Sequence, residues 1–141
     1  MKILIVEDNS EYCEGYLLRI CKSILPPGAV EFTQVRTILE AIPVVCSPEW
    51  QAIIVDFDLP APKKDDVLPD GSPVPPIRNG AHLVHLRRRW ENERKTLPIP
   101  VMGNAAHEVG NRALRAAGTS HNFSKLNTVE LAKAIKGILP Q

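Results

Sequence analysis

The sequence has no excess of either charge. Its 17 Lys and Arg stand against 16 Asp and Glu, a formal net charge of +1. That balance removes the global basic footprint of a nucleic-acid binder and argues against direct binding of DNA or RNA. No apolar run is longer than a few residues, which excludes a membrane span. The three cysteines, Cys13, Cys21 and Cys46, are odd in number and lack metal-ligand spacing, as suits a reducing compartment. Met1 leads directly into a short strand-like run closed by acid, with no shape of a secretory signal. Internal repeats are also missing. These absences describe a cytoplasmic chain whose 141 residues form one domain with a core of ordinary size.

Two kinds of segment alternate along it. Ile3 to Val6 is an apolar, β-branched run closed by Glu7-Asp8-Asn9, and Ala52 to Val55 repeats the pattern before Asp56. Short runs without alternation suit strands covered on both faces, as in a parallel sheet. Weaker strand signals lie at 30–32, 99–102 and 121–123. Helical periods fill the gaps. Cys13, Leu17, Ile20 and Ile24 fall at i, i+4, i+7 and i+11 and predict one buried face. Leu83, Leu86 and Trp90 predict a helix over 79–93. Leu131, Ile135 and Ile138 predict the last helix, with Asn127 or Thr128 as its cap. Residues 36–45 and 106–117 complete the set, the latter ending at Gly118. The expected fold class is therefore α/β: a doubly wound, five-stranded parallel sheet with helices on both faces. Strand order is not readable from the pattern.

One stretch breaks the rhythm. Residues 60–78 hold six of the 13 prolines, and proline removes amide donors and blocks helix. An irregular insertion is expected there, either a tolerated surface loop or a lid or docking segment. The basic stretch Arg87-Arg88-Arg89 reads as a solvated helix end beside Glu91 and Glu93. His82 and His85 read as surface residues, and Tyr12 and Tyr16 as packing along the first helix.

In an open α/β sheet the ligand site lies beyond the carboxyl ends of the strands. Glu7 and Asp8 follow strand one, Asp56 and Asp58 follow strand three, and Lys125 follows strand five. If these strands are neighbours, four carboxylates and an ammonium converge. Two like charges about 4 Å apart repel by roughly 4 kcal/mol at an effective dielectric near 20. Such a cluster calls for a cation, and oxygen ligands point to magnesium.

The residues Ile3 to Asn9, Asp56-Phe57-Asp58-Leu59-Pro60, Asn79-Gly80 and Lys125 together resemble the response-regulator receiver domain of two-component signalling. The resemblance runs from Lys2 to about Leu139 around the insertion, and implies the flavodoxin-like receiver fold. It implies Asp56 as phosphoacceptor from a sensor histidine kinase or histidine phosphotransfer protein. It also implies Mg²⁺ held by Asp8, Asp56 and the backbone carbonyl of Asp58, with Glu7 positioning a metal-bound water. Lys125 would pair with the phosphoryl group. A downstream protein or an appended output domain would read the result.

Three positions depart from that pattern. The hydroxyl expected at the end of strand four falls on Gly103, with Asn104 beside it, and residues 97–118 contain no Ser or Thr. The aromatic expected three residues before the lysine is Asn122. The proline expected after the lysine is Leu126. The chemistry of phosphoryl acceptance looks complete while the relay out of the site does not. Asn104 is the expected substitute donor to the phosphoryl group. The alternative reading is a receiver-like interaction module that works without phosphorylation. A third, a haloacid-dehalogenase-like phosphatase, rests on Asp56-Phe57-Asp58 alone and leaves Glu7 and Asp8 unexplained.

Overall fold

The computed structural model describes residues 1–140. Five parallel strands form one sheet in the order β2-β1-β3-β4-β5: β1 (Lys2–Val6), β2 (Glu31–Val35), β3 (Ala52–Val55), β4 (Val101–Gly103) and β5 (His121–Asn122). Four helices connect them and a fifth follows β5. α1 covers residues 10–24, α2 is Ile38–Val45, α3 is Gly80–Arg94, α4 is Glu108–Ala117 and α5 is Thr128–Ile138.

Alternation along the strands sends neighbours to opposite faces. Leu4, Val6, Ile53 and Val55 join α2, α3 and α4 through Ile38, Ile42, Leu83 and Leu114. Ile3, Ile5, Ile54 and Met102 join α1 and α5 through Leu17, Cys21, Leu131 and Ile135. Ile3 to Val6 and Ala52 to Val55 are all buried, which is why those runs carry no polar alternation. Each such side chain contributes roughly 1.5–3 kcal/mol on burial.

Most boundaries follow local chemistry. Asn79 caps α3 by accepting from the His82 amide at 3.0 Å, and Gly118 closes α4 at φ 116°, where a side chain would be strained. β4 begins at Val101 rather than Ile99, because Pro98 and Pro100 have no amide to give the ladder. β2 runs on to Val35, past the short signal at 30–32. The last helix is entered through a 3₁₀ turn, Lys125–Asn127, capped by Ser124 accepting from the Leu126 amide. Asn127 stands at the N-cap position of the last helix as expected but makes no side-chain cap bond.

The expected face of α1 is also corrected. Cys13, Leu17, Cys21 and Leu25 are buried, while Ile20 and Ile24 are only half-buried. Residues Cys13–Leu17 form a π turn in which the Leu18 amide reaches the Cys13 carbonyl. Each widened turn takes about one residue more than an α turn, so the buried face recurs every four residues.

The proline-rich insertion has one antiparallel bridge, Val67 with Pro73, and a turn at Gly71 with φ 83°. Ile77 is buried, and Leu68 and Val74 pack against the same core cluster as α2 and α3. The stretch Arg87-Arg88-Arg89 is a solvated helix end only in part: Arg89 and Glu93 are exposed, while Arg87 and Glu91 are buried. Arg87 and Glu91 are each 2% exposed, joined at 3.1 Å, and Arg87 also donates to the carbonyls of Val45 and Ser47. Arg88 bonds Glu91 at 2.7 Å and the Ile99 carbonyl. These bonds tie α3 to the end of α2 and the approach to β4. His82 and His85 are exposed.

Candidate functional site

Strand register builds the site. Val6 and Val55 stand opposite each other at the ends of β1 and β3, so the next residues, Glu7 and Asp56, leave the sheet side by side. The Asp56 amide donates to the Val6 carbonyl at 3.0 Å, and the Glu7 amide to Val35. One carboxylate oxygen from each of Glu7, Asp8 and Asp56 lies within 4.8 Å of the others. Glu7 and Asp56 are buried, and Asp8 is exposed at the rim.

Lys125 completes the cluster. Its Nζ lies 3.0 Å from Glu7 Oε2 and 3.0 Å from Asp56 Oδ2. The condition set for that convergence, strands one, three and five as neighbours, is met only for the first two: β4 stands between β3 and β5. The long lysine stem, leaving from the 3₁₀ turn beyond β5, spans that gap. Nor do four carboxylates converge. Asp58 is exposed, because the chain bends at Phe57 and carries it off the strand's alternation. Asp56 Oδ1 accepts from the Phe57 amide at 2.7 Å, which leaves each oxygen of the carboxylate held by a separate donor.

The electrostatics follow from burial. Glu7 is pushed up to about 7, first by burial and then by the Asp56 charge, against the pull of Lys125. Asp56 is raised by burial, with Lys125 and the Phe57 amide opposing. Burial alone would lower Lys125, but its bonds to Asp56 and Glu7 outweigh that and raise it. The metal-free site therefore holds more negative charge than one ammonium offsets. Three hard oxygen donors around that surplus fit a divalent cation such as Mg²⁺.

Two glycines make the geometry possible. A Cβ on Gly80 would overlap the carbonyl oxygen of Asp56, so α3 begins directly against the backbone of the central acid, with the Gly80 amide donating to Phe57. Gly110 meets Phe57 Cβ and Ala105 Cβ in the same way.

The three departing positions have definite places. Gly103 and Asn122 are cross-strand partners. A Cβ on Gly103 would overlap Asn122 Oδ1, which accepts from the Thr119 hydroxyl at 3.0 Å. The space a hydroxyl would need is thus filled by Asn122. Asn104 is buried and engaged at both ends of its amide: Nδ2 donates to the Phe123 carbonyl at 3.1 Å and Oδ1 accepts from the Tyr12 hydroxyl at 2.7 Å. That engages one of the two Nδ2 hydrogens and turns the amide oxygen toward Tyr12. All peptide bonds of the described residues are trans, including Lys125–Leu126.

Tyr12 and Thr128 are the residues the sequence reading missed. Lys125 Nζ lies 4.9 Å from the centre of the Tyr12 ring. Tyr12 does more than pack along α1. Its place in the first turn of α1, just after Glu7 and Asp8, was the available signal.

The architecture and sheet order are those of a doubly wound, flavodoxin-like α/β domain. No family model and no curated protein matches the chain. Solved structures do. A response regulator from Chloroflexus aurantiacus superposes with a TM-score of 0.65 at 23% identity, covering 99% of this chain and 98% of that one. The receiver domain of a sensor histidine kinase from Pseudomonas aeruginosa, with magnesium coordinated in its active-site cleft, gives 0.64 at 21% identity, covering 96% and 94%. A manganese-bound response regulator gives 0.62 at 18% identity, with 99% of each chain covered. The fold is that of CheY-like receiver domains over nearly the whole chain. No helix among the described residues is long and apolar enough to cross a membrane.

Proposed function

We propose that this chain is a cytoplasmic response-regulator receiver that accepts a phosphoryl group on Asp56. The observation that carries the reading is Lys125 bridging Glu7 and Asp56 at 3.0 Å within a three-carboxylate cluster. Phosphoryl acceptance needs carboxylates able to hold a cation and an ammonium beside the acceptor.

Glu7, Asp8 and Asp56, with the backbone carbonyl of Asp58 that the family resemblance adds, would hold Mg²⁺. When bound, the ion neutralises the repulsion between these carboxylates and an incoming phosphoryl group. A carboxylate oxygen of Asp56 forms the new O–P bond as the P–N bond of a phosphohistidine breaks, the electron pair remaining on the imidazole nitrogen. The Phe57 amide and Lys125 hold the two oxygens of Asp56 before the reaction. Lys125 then follows the negative charge onto the phosphoryl oxygens, and the transfer depends on position and electrostatics. The phosphoryl donor is a sensor histidine kinase or histidine phosphotransfer protein, and the reader is a downstream protein or an appended output domain.

The test is intact-protein mass spectrometry after incubation with acetyl phosphate and Mg²⁺, beside Asp56→Asn. A single phosphoryl adduct that requires both Mg²⁺ and Asp56 supports the reading. A folded protein that gains none refutes it. The second reading, a receiver fold whose partner binding is independent of phosphate, has one observation in its favour: Asn122 fills the place of the relay hydroxyl. Unchanged partner binding by Asp56→Asn, alongside a failed labelling reaction, would select it.

A further inference from the structure

We infer that Tyr12 is the positioning residue that holds Lys125 and carries the state of the site to the start of α5, in place of the blocked pair Gly103 and Asn122. The inference rests on the phosphoacceptor reading above and adds the route by which phosphorylation would leave the site.

Tyr12 holds Lys125 at both ends. The ring underlies the ammonium at 4.9 Å, where its negative face attracts the cation. The hydroxyl lies 2.9 Å from Thr128 Oγ1, whose single proton goes either to it or to the Lys125 carbonyl, also 2.9 Å away. The same hydroxyl donates to Asn104 Oδ1 at 2.7 Å. Asn104 follows β4 directly, and its amide nitrogen donates to the β5–α5 connection at Phe123. Thr128, fully buried, is the first residue of α5. One phenol thus joins the lysine side chain, the lysine backbone, the end of β4 and the first turn of the last helix. Burial raises the Tyr12 hydroxyl above its ordinary value, against the bonds from Thr128 and Asn104, so it stays a neutral donor throughout the usual pH range.

The conventional exit is closed by the same chain. Asn122 Oδ1 occupies the volume above Gly103 and is tied to Thr119, leaving no hydroxyl to be drawn inward and no void for an aromatic to enter. A ligand shifts a conformational equilibrium only through contacts that differ between its states. Lys125 is the group whose contacts must change when charge builds on Asp56, and the groups bound to it are Glu7, Asp56 and Tyr12. Glu7 and Asp56 belong to the chemistry. Tyr12 alone leads away from it. The π turn at Cys13–Leu17 begins immediately after Tyr12, so Tyr12 can face the site while the rest of α1 faces the core.

The experiment is an amide NMR titration of the full chain with beryllofluoride and Mg²⁺, in wild type, Tyr12→Phe and Tyr12→Leu. In wild type the amides of Phe57 and Lys125 should shift, and with them those of Asn104 and residues 126–129. Tyr12→Phe keeps the ring and loses the hydroxyl: Phe57 and Lys125 should still shift, while the response at Asn104 and Thr128 is lost. The ε-methylene protons of Lys125 should show a ring-current shift in wild type and Tyr12→Phe that disappears in Tyr12→Leu. Acetyl-phosphate labelling should slow by about fivefold or more in Tyr12→Leu and be rescued by Tyr12→Phe, as expected when a reacting partner is misplaced. Equal responses at Asn104 and Thr128 in wild type and Tyr12→Phe, or a response running through Gly103 and Asn122, would overturn the inference and leave the phosphoacceptor reading standing. No shift at Phe57 in wild type would overturn both.

Discussion

Gly103→Ala tests whether the relay position is closed by packing. The new Cβ would overlap Asn122 Oδ1 and stand 3.1 Å from Leu114 Cδ1. Leu114 can turn its methyl away, but Asn122 must leave its place and surrender the hydrogen bond from Thr119. That bond is worth about 1 kcal/mol, and forcing an extra methyl into a filled site adds about 1–3 kcal/mol. Removing glycine from a strand returns roughly 0.5–1 kcal/mol, so the net loss should be about 1–3 kcal/mol. In an Asn122→Ala background the obstacle is gone, and the same substitution should be neutral or stabilising. The coupling energy between the two positions is then of order 1–3 kcal/mol, against additivity within about 0.5 kcal/mol for independent sites. Urea unfolding of the four proteins measures it. With a slope of about 1–3 kcal/mol per molar, the midpoints of Gly103→Ala in the two backgrounds should differ visibly. Equal cost in both would mean that Asn122 does not occupy the relay site, and the argument for a rerouted exit would lose its foundation.

Gly80→Ala places a methyl into the Asp56 carbonyl, a backbone atom that cannot rotate away; a Tm lowered by about 10 °C or failure to fold is expected in a thermal melt. Arg87→Ala leaves Glu91 buried with one partner fewer and should cost about 3–5 kcal/mol in denaturant titration. Burial would raise the Glu91 carboxyl, but the bonds from Arg88, the Ile99 amide and Arg87 outweigh it and hold it below its ordinary 4.5. Its stabilisation is therefore present above pH 4.5 and lost as pH falls through the depressed value; Glu91→Gln should flatten that acid limb. Glu7 has the opposite sign: raised from 4.5 to about 7, it makes the metal-free fold lose stability as pH climbs between those values. In chelator, Glu7→Gln should abolish that slope and be more stable than wild type by up to about 3 kcal/mol at pH 8, each unit being worth 1.36 kcal/mol.

The sheet was legible because its central strands have no polar residue to confuse the period. Ile3 to Val6 and Ala52 to Val55 are buried on both faces, and their following acids mark the site edge. The helix of Glu108–Ala117 was legible for a similar reason, its end set by Gly118. Legibility failed where tertiary contacts redefine a residue. Arg87 and Glu91 read as surface charges because burial of a pair at i, i+4 depends on the carbonyls of Val45 and Ser47 arriving from the end of α2 and the residues just beyond it. Ile20 and Ile24 read as the core face because a periodicity of 3.6 cannot anticipate a π turn. Within the site, Glu7, Asp8, Asp56 and Lys125 announced themselves by type and position. Tyr12 and Thr128 did not: a phenol and a hydroxyl are ordinary in helices, and their partners lie 92 and 116 residues away along the chain.

The π turn has a consequence for the length of the chain. Its extra residue is slack that an α-helical path over the same distance would not need. Gly15 sits in the middle of it, exposed, with nothing within 4 Å of where its Cβ would be. A chain lacking that one residue could close the turn to ordinary α geometry while keeping Leu17, Cys21 and Leu25 in the core. Because a π turn absorbs its extra residue locally, the half-turn upstream would keep its direction and the phenol its place beside the lysine. A single codon thus separates a bulged and a regular version of this helix with the same hydrophobic anchor and the same reach.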